Sequence, residues 1–244
     1  MNCAVELRSV SVSYRGNPAL HDVSLDINEG DFTAIIGPNG AGKTTLLTVI
    51  NGLGRMHSGA LRILDQPVTP AGLARLRPRI GYVAQHERID RRMPVTCYES
   101  VLLGCYGRTG LLRRPDAKDR TLAAEMMQLT DTAHLRDRPV GQVSGGEARK
   151  VALARALTQQ PRILLLDEPM TNLDPPSVRE LLALVVDIWR RFSLTVVMVT
   201  HRLDDLPDAC NRVVMLRSGR ILHAGPRASA LTPELLARLY GNGD

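Results

Sequence analysis

The chain contains the stretch Phe32-Thr33-Ala34-Ile35-Ile36-Gly37-Pro38-Asn39-Gly40-Ala41-Gly42-Lys43-Thr44-Thr45. It opens with an apolar run of strand length, which ends at Gly37. After Gly42 the apolar residues recur with helical spacing as far as Ile50. The order of strand, glycine-rich loop and helix is a building unit of α/β folds, so we expect this stretch to lie at the centre of such a fold.

Residues 37–44 also match the pattern G-x-x-x-x-G-K-[ST]. Glycines let backbone N–H groups surround a phosphate chain, the lysine reaches the terminal phosphates, and the threonine hydroxyl can coordinate Mg²⁺. A coincidental glycine-rich turn is the alternative, but the flanking strand and helix favour a P-loop NTPase. The residues predicted to bind the nucleotide are Gly37, Pro38, Asn39, Gly40, Ala41, Gly42, Lys43, Thr44 and Thr45, of which Lys43 is also catalytic and Thr44 also binds the metal ion.

Length and composition favour a globular protein. The chain has 244 residues, 44% of them apolar, which suffices for one large domain or two small ones. No apolar run approaches the ~18–20 residues that span a bilayer. Glu6 and Arg8 stand where a signal peptide would be apolar. We therefore expect a cytosolic chain that is neither secreted nor embedded in a membrane.

Net charge and cysteine content exclude fewer classes of protein than length and composition do. A net charge of +6 suits nucleic acid, an anionic membrane surface or phosphate ligands. Because aromatic residues make up only 3% of the chain, single-stranded nucleic acid is disfavoured, and we predict no nucleic-acid partner. The four cysteines form no C-x-x-C pair, so we expect reduced thiols packed as small apolar groups rather than a metal site or disulfides. These cysteines are Cys3, Cys97, Cys105 and Cys210.

Further apolar patterns predict the strands. Residues 80–84 predict a short strand, and the uninterrupted apolar runs at residues 163–166 and 194–199 are typical of parallel strands buried on both faces. Alternation near the N-terminus predicts another strand with its apolar residues on one face. The residues assigned to that face are Val5, Leu7, Val10, Val12 and Tyr14.

Other patterns predict the helices and a hairpin. Residues 181–189 place apolar side chains on one helical face, and a short helix is expected after Leu231. Residues 217–220 separate two short β-like runs and predict a hairpin. From about residue 88 to 160 the chain is rich in helical patterns, charges and prolines. The sum is an α/β sheet domain with a mostly helical insertion.

Residues 163–168 are an apolar run that ends in two acids, Asp167 and Glu168. Such a strand brings carboxylates to the C-terminal edge of the sheet, where ligands of open α/β sheets bind. We predict that Asp167 holds Mg²⁺ through a water and that Glu168 orients and deprotonates the attacking water. The simpler alternative is that the two acids are merely solvated at the end of a strand. The P-loop upstream favours the catalytic interpretation.

The segment Ser144-Gly145-Gly146-Glu147 fits a capping box that opens a helix. Two glycines in the first turn of a helix are nevertheless unfavourable unless something must approach the backbone closely. Helix N-termini attract anions, but the P-loop already serves this chain's own phosphates. A second phosphate-binding helix start therefore suggests that another copy of the chain completes each site.

Together with Thr171-Asn172-Leu173-Asp174 and His201, these motifs resemble the ATP-binding subunit of an ABC transporter over essentially the whole chain. The Ser-Gly-Gly signature distinguishes that family from other P-loop ATPases. The resemblance implies a single nucleotide-binding domain, residues 1–244, that binds ATP and Mg²⁺ and hydrolyses ATP. The implied parts are a RecA-like P-loop NTPase core at 1–87 and 159–222 with an ABC-type N-terminal β-subdomain, an inserted helical subdomain at about 88–158, and a C-terminal tail at 223–244.

The resemblance also implies a head-to-tail homodimer with shared ATP sites. Each ATP lies between the P-loop of one copy and the signature of the other, formed by Ser144, Gly145, Gly146 and Glu147. Asp174 links the two sites across the dimer. Three residues depart conservatively from the family pattern: Val143, Thr171 and Asn172. Glu147 departs as well, and capping its own helix would explain how it avoids repelling the nucleotide.

Three polar or aromatic residues follow predicted strands and acquire roles by the same resemblance. Tyr14 matches the aromatic residue that stacks on adenine, with a plain strand-end tyrosine as the alternative. Gln85 matches the glutamine that contacts Mg²⁺ and the attacking water, with an exposed polar strand end as the alternative. His201 matches the histidine that contacts the γ-phosphate, with an isolated histidine as the alternative.

Residues 88–115 give the best indication of the transported solute. Met93-Pro94-Val95-Thr96, a helical stretch at 98–106 and Gly110-Leu111-Leu112-Arg113-Arg114-Pro115 resemble the subfamily that imports zinc, manganese or iron. They resemble importers of iron chelates less closely, and a generic surface helix with a basic turn remains an alternative. This chain has no cluster of metal ligands, so a transported metal would pass through the partner.

The expected function is ATP hydrolysis coupled to solute transport by integral-membrane permease subunits. The chain would lie peripherally on the cytoplasmic face of the inner membrane, and an extracytoplasmic solute-binding protein would act indirectly. An ABC ATPase of another transporter and a soluble ABC ATPase without a permease are the alternatives. Soluble members usually carry a long coiled coil or two ATPase domains, which this sequence lacks. Intact Lys43, Asp167, Glu168 and His201 argue against a non-hydrolysing scaffold.

Overall fold

The computed structural model describes residues 2–14, 16–85, 92–110 and 113–241. This part of the chain contains strands that form two sheets. The strands are β1 (Cys3–Tyr14), β2 (Asn17–Asn28), β3 (Phe32–Ile36), β4 (Ser58–Ile63), β5 (Gln66–Pro67), β6 (Ile80–Val83), β7 (Ile163–Asp167), β8 (Thr195–Thr200), β9 (Arg212–Arg217) and β10 (Arg220–Pro226).

Helices surround the sheets, and several begin with a side-chain cap. Thr96, Asp116, Ser144, Asp174 and Thr232 each accept a hydrogen bond from a backbone N–H of the first turn. The helices are α1 (Lys43–Ile50), α2 (Leu73–Leu76), α3 (Cys97–Leu102), α4 (Tyr106–Thr109), α5 (Ala117–Leu129), α6 (Gly145–Thr158), α7 (Pro175–Phe192), α8 (Arg227–Ala230) and α9 (Pro233–Tyr240).

A six-stranded sheet in the order β10-β9-β3-β8-β7-β6 forms the centre of the molecule. β9, β3, β8, β7 and β6 run parallel, and β10 pairs antiparallel with β9. Every residue of β3, β7 and β8 is buried, which confirms the expectation from the uninterrupted apolar runs. The P-loop segment follows β3 at the middle of this sheet, as its sequence predicts.

The N-terminal part forms a second, antiparallel sheet in the order β2-β1-β4-β5. The prediction that one simple alternation runs along β1 is wrong. The register shifts between Leu7 and Val10, and Ser9 lies in the left-handed region with φ of +48°. This bulge moves the alternation by one residue, so odd-numbered side chains before it and even-numbered ones after it are buried. The buried residues that follow this alternation are Val5, Leu7, Val10 and Val12; Ala4 is buried as well, outside the alternation, and Tyr14 is 49% exposed.

The central sheet is covered on both faces. On one face Leu164 and Leu166 of β7 pack in a core with residues of α3, α5, α6 and α7. On the other face Ile163 and Leu165 pack in a core with α1 and the antiparallel sheet. Consecutive side chains of one strand therefore belong to two different cores, as expected for strands that have no solvent-exposed face.

The predicted helix at residues 181–189 lies within α7 and buries Leu181, Val185 and Ile188. Trp189, in the same helix, donates Nε1–H to the carbonyl oxygen of Gly30 at 3.0 Å. Its ring meets that of Phe32 edge-on, with centroids 5.7 Å apart. These two contacts attach α7 to the beginning of β3.

The other predicted elements also occur. β9 and β10 form the expected hairpin, and α9 is the short helix expected after Leu231. The predicted helical stretch at 98–106 begins one residue earlier and continues through a 3₁₀ turn into α4. Two parts of the segment that suggests the solute, residues 86–91 and 111–112, lie outside the described residues.

Cys97, Cys105 and Cys210 are buried as free thiols, and Cys3 is partly buried. Burial raises the pKa of all four thiols, which keeps them in the uncharged form. Among the described residues, no helix combines the length and the apolar character that a membrane crossing requires.

Burial on both faces predicts that neighbouring residues of β7 are equally sensitive. We expect Leu164→Ala and Leu165→Ala each to lower the free energy of unfolding by about 2–5 kcal/mol, because each leaves a cavity in a different core. Urea denaturation measures this. Leu103→Ala, at a side chain that is 53% exposed, is the control and should change stability by less than about 0.5 kcal/mol. A near-neutral effect at either β7 position would contradict burial on that face.

Candidate functional site

The glycine-rich loop joins β3 to α1 and needs glycine at particular positions. A Cβ on Gly37 would lie 2.0 Å from the carbonyl oxygen of Leu216 in β9. Gly42 has φ of +99°, and a Cβ there would lie 2.6 Å from the carbonyl oxygen of Ala19. The loop therefore passes close to two neighbouring backbone segments, which side chains at these positions would push away.

Lys43 places its ammonium group inside this loop. The residue is 5% exposed, and Nζ donates to the carbonyl oxygens of Gly37 at 2.9 Å and Pro38 at 3.0 Å. Nζ also lies 3.8 Å from Oε1 of Glu168. Burial lowers the pKa of Lys43, and the negative charges of Glu168 and Asp167 oppose that shift. A positive charge is thus held where the loop would receive a phosphate group.

Asp167 is the last residue of β7, and each oxygen of its carboxylate accepts a hydrogen bond from a hydroxyl group. Thr44 donates to Oδ1 at 3.1 Å, and Tyr82 of β6 donates to Oδ2 at 3.2 Å. Burial raises the pKa of Asp167, and both hydroxyl hydrogen bonds act in the opposite direction. Burial and the neighbouring Asp167 also raise the pKa of Tyr82, which keeps this phenol protonated as a donor.

The carboxylate of Asp167 and the hydroxyl oxygen of Thr44 are hard oxygen donors close to one another. Mg²⁺ prefers such donors and usually binds to one or two protein groups together with substrate phosphates. The residues present therefore fit the metal ion that the P-loop pattern implies. Gln85, the third predicted ligand, points its amide at Glu168 rather than at Asp167.

Glu168 follows Asp167 and is the centre of the polar network. Its Oε2 accepts hydrogen bonds from Gln85 Nε2 at 2.8 Å and from Thr171 Oγ1 at 3.1 Å. Nδ1 of His201 lies 3.3 Å from the same oxygen. The carboxylate is only 11% exposed, and the backbone has φ of +44°. A left-handed conformation at a glutamate is unfavourable, and such strain clusters at functional sites.

Glu168 and its neighbours Gln85, Thr171 and His201 line one open cleft with a volume of about 790 Å³. The cleft brings together predicted site residues from five separate parts of the chain. The predicted residues along its wall are Tyr14, Asn39, Gly40, Gly42, Lys43, Thr44, Thr45, Gln85, Glu168 and His201. Asn17, Pro18, Ala19 and Thr171 line it as well, although no pattern in the sequence singled them out as cleft residues.

The signature residues 144–147 and Asp174 are not among the described residues that line this cleft. Ser144 caps α6, and Glu147 completes the predicted capping box by accepting the Ser144 N–H at 2.7 Å. Those hydrogen bonds lower the pKa of Glu147, so the carboxylate is engaged at its own helix end. Asp174 caps α7 in the same way through Ser177.

No described residue imposes a steric need for the two glycines of the signature. A Cβ on Gly145 would come no closer than 3.6 Å to Leu173, and one on Gly146 no closer than 3.4 Å to Ser177. These are ordinary contact distances, and Gly145 is exposed. Contacts with the described residues therefore do not explain why this helix start carries two glycines.

Comparison with known proteins shows the family of this chain. The family model described as ABC transporter matches residues 20–171, more than half of the chain. The zinc transport system ATP-binding protein TroB of Treponema pallidum is 35% identical over 98% of this chain and 87% of its own length. The phosphonates import ATP-binding protein PhnC of Stutzerimonas stutzeri is 36% identical over 99% of this chain and 91% of its own. The solved dimeric structure of the bacterial ABC transporter cassette MJ0796 has a TM-score of 0.80 and 28% identity, covering 91% of this chain and 98% of that one.

The chain belongs to the ABC transporter family, as an ATP-binding subunit. Its class is that of the ATP-hydrolysing cassettes, and the P-loop NTPase fold with added helices is the one expected from the sequence. Cassettes of this family form dimers. The comparisons leave the solute open, because the similar proteins include a zinc transport subunit and a phosphonate import subunit at nearly equal identity.

The conformation of Glu168 predicts an unusual order of stability between two variants. We expect Glu168→Gly to be more stable than Glu168→Ala by about 1 kcal/mol, because both lack the carboxylate but only glycine adopts a positive φ freely. Glu180, exposed in α7, is the matched control. There the alanine variant should exceed the glycine variant by about 0.5–1 kcal/mol. Urea denaturation of the four proteins measures both differences, and the same order at both positions would contradict strain at Glu168.

Proposed function

We propose that this chain hydrolyses ATP with Mg²⁺ in a head-to-tail homodimer and drives solute import through permease subunits. The observation that carries the catalytic part is the environment of Glu168. Its carboxylate accepts from Gln85 and Thr171, lies beside His201, and is 3.8 Å from the Lys43 ammonium. A base for water and a cation for phosphate charge are thus adjacent in one cleft.

In this proposal ATP occupies the cleft with its adenine on Tyr14 and its phosphates in the P-loop. Lys43 exchanges its two carbonyl partners for phosphate oxygens, which keeps the buried ammonium paired throughout. Thr44, Asp167 and Gln85 hold Mg²⁺. That ion would supply positive charge to offset the charge of the phosphates. The hydroxyl groups of Thr44 and Tyr82 donate hydrogen bonds to the Asp167 carboxylate and so orient it before the ion binds.

Glu168 acts as the general base. An ionised carboxylate is an acceptor only, so it can orient a water and take its proton as the water attacks the γ-phosphate. Gln85 and Thr171 fix the position of the carboxylate, and His201 is placed to contact the γ-phosphate. Because the carboxylate is mostly shielded from solvent, its position is set by these neighbours rather than by bulk water.

The signature of the partner copy completes each site. The helix start at Ser144, Gly145 and Gly146 is capped and partly exposed, and the described residues leave room around its glycines. Glu147 stays on its own helix as a cap, which removes the objection that its charge would repel ATP. Asp174, exposed at the start of α7, links the two sites across the dimer.

Replacing the base tests the composite site. We expect Glu168→Gln to lower ATP turnover by a factor of about a hundred or more, in line with general-base contributions, while ATP binding does not weaken. The amide keeps the shape of the side chain and removes a negative charge beside the phosphates. Since hydrolysis would no longer separate the subunits, a stable ATP-dependent dimer should appear on size exclusion. Phosphate release and elution volume are the two measurements.

The double variant Glu168→Gln with Ser144→Arg is the control for the shared site. The arginine blocks the signature without touching the P-loop, so the ATP-dependent dimer should disappear although nucleotide still binds. Turnover of Glu168→Gln close to that of the unmodified chain, or a Glu168→Gln protein that binds ATP as a monomer, would contradict the proposal.

The permease would dock in the groove between the predicted core and the predicted helical subdomain at about 88–158. This groove has a volume of about 350 Å³ and includes Leu53, Arg77, Tyr82 and Leu103. Leu53 and Leu103 are 57% and 53% exposed and present apolar surface at this groove. A short cytoplasmic helix of the permease, with apolar side chains for the leucines, is the proposed occupant. Such docking places the chain peripherally on the cytoplasmic face of the inner membrane.

For the solute we propose a transition metal ion, zinc, manganese or iron, delivered by an extracytoplasmic solute-binding protein. The proposal rests on the resemblance of residues 93–115 and on the similarity to the zinc transport subunit of Treponema pallidum. Among the described residues no cluster of histidine, cysteine and acidic side chains could hold a metal ion. The metal would therefore be recognised by the permease and the binding protein.

Deleting the gene tests this assignment. We expect the cell content of one of these metals to fall under metal starvation, because import would stop, and growth to recover when that metal is supplied. Elemental analysis of the cells measures the content. A strain that carries the Glu168→Gln chain is the matched control and should behave as the deletion does. Unchanged metal content together with altered uptake of an organic solute such as a phosphonate would overturn the metal assignment and leave the ATPase unaffected.

A further inference from the structure

Arg149 connects the signature helix to the cleft of its own chain. It lies in α6, one turn after Gly145, and is half-buried. Its Nη1 donates to the carbonyl oxygen of Ala84 at 2.8 Å, and its Nη2 donates to the carbonyl oxygen of Gln85. A planar guanidinium can hold two such acceptors at once, which a lysine ammonium does less well.

Gln85 is therefore held from two directions. Its carbonyl is bound by Arg149, and its side-chain Nε2 donates to Oε2 of Glu168 at 2.8 Å. The strand β6 ends at Val83, so the two carbonyls that Arg149 binds lie just beyond the sheet. A continuous chain of hydrogen bonds thus runs from α6 through Gln85 to the carboxylate that we propose as the base.

We propose that Arg149 is a positioning residue that transmits the placement of α6 to Glu168 through Gln85. The inference rests on the proposed function, in which the start of α6 binds the nucleotide of the partner copy. When that nucleotide draws the helix start into place, Arg149 sets the position of Gln85 and hence of Glu168 in its own site. Each site therefore reports its occupancy to the base of the other.

This role differs from a contribution to stability alone. Arg149 binds the backbone carbonyls of Ala84 and Gln85, and it is itself absent from the residues along the described cleft wall. Its loss should therefore act on turnover and spare nucleotide affinity. Lys150, the next residue in α6, is the matched control. It pairs with Glu180 at 3.2 Å and Asp131 at 3.8 Å, away from Gln85.

A double-mutant cycle tests the inference. We expect Arg149→Met to lower kcat about tenfold with less than about a twofold change in KM for ATP, and Arg149→Lys to recover part of the loss. Lys150→Met should leave kcat within about twofold of the unmodified chain. In a Gln85→Ala background, Arg149→Met should have no further effect on kcat, because the residue through which it acts is gone. Thermal midpoints of Arg149→Met and Lys150→Met should agree.

Several outcomes would contradict the proposed role of Arg149. The inference fails if Arg149→Met turns over ATP like the unmodified chain. It also fails if its effect multiplies fully with that of Gln85→Ala, or if its loss of kcat merely follows a loss of thermal stability that Lys150→Met does not share. In these cases the ATP-dependent dimer of Glu168→Gln would still form, so the proposed function would stand. Absence of that dimer would overturn both.

Discussion

Parallel pairing of three fully buried strands is the constraint on which the site depends. β3, β8 and β7 run in one direction with Ile36 beside Thr200 and Asp167 beside Val199. Their chains therefore leave the sheet at the same edge, and the polar groups that follow them meet there. Both faces of these strands pack in the two cores, so the edge is the place where Lys43, Asp167, Glu168 and His201 are assembled.

Much of this arrangement could be predicted from sequence because the motifs follow apolar runs directly. Each of three motifs adjoins a strand or helix with a clear apolar pattern. They are the P-loop after β3, the acids at the end of β7 and the capping box of α6. β2 escaped prediction although Val23, Leu25 and Ile27 alternate with polar residues and are buried. β4 buries only Leu61 and Ile63, so its pattern is too short to indicate a strand. The bulge at Ser9 also breaks the alternation of β1. Tyr82 and Thr171 escaped because their roles depend on contacts with Asp167 and Glu168 that no local pattern encodes.

The signature segment shows how one local pattern can serve two purposes. Its serine and glutamate satisfy the donors of their own helix end, which is sufficient reason for those residue types. Its glycines are not explained by that helix or by neighbouring side chains. The second purpose, contact with the nucleotide of another copy, is implied by the resemblance to a known family and not by the geometry of one copy. The positive φ of Glu168 had no sequence signal, because a strained backbone is imposed by the surrounding structure.

Trp189 gives the molecule a property that the chemistry of the cleft does not require. It is the one tryptophan of the chain, and its indole is fixed to Gly30 and Phe32 at the beginning of the strand that leads into the P-loop. Indole emission depends on the polarity of its surroundings. The tryptophan fluorescence of this protein therefore arises from a single location, where α7 meets β3. Detachment of that helix from the sheet would be visible without any added label.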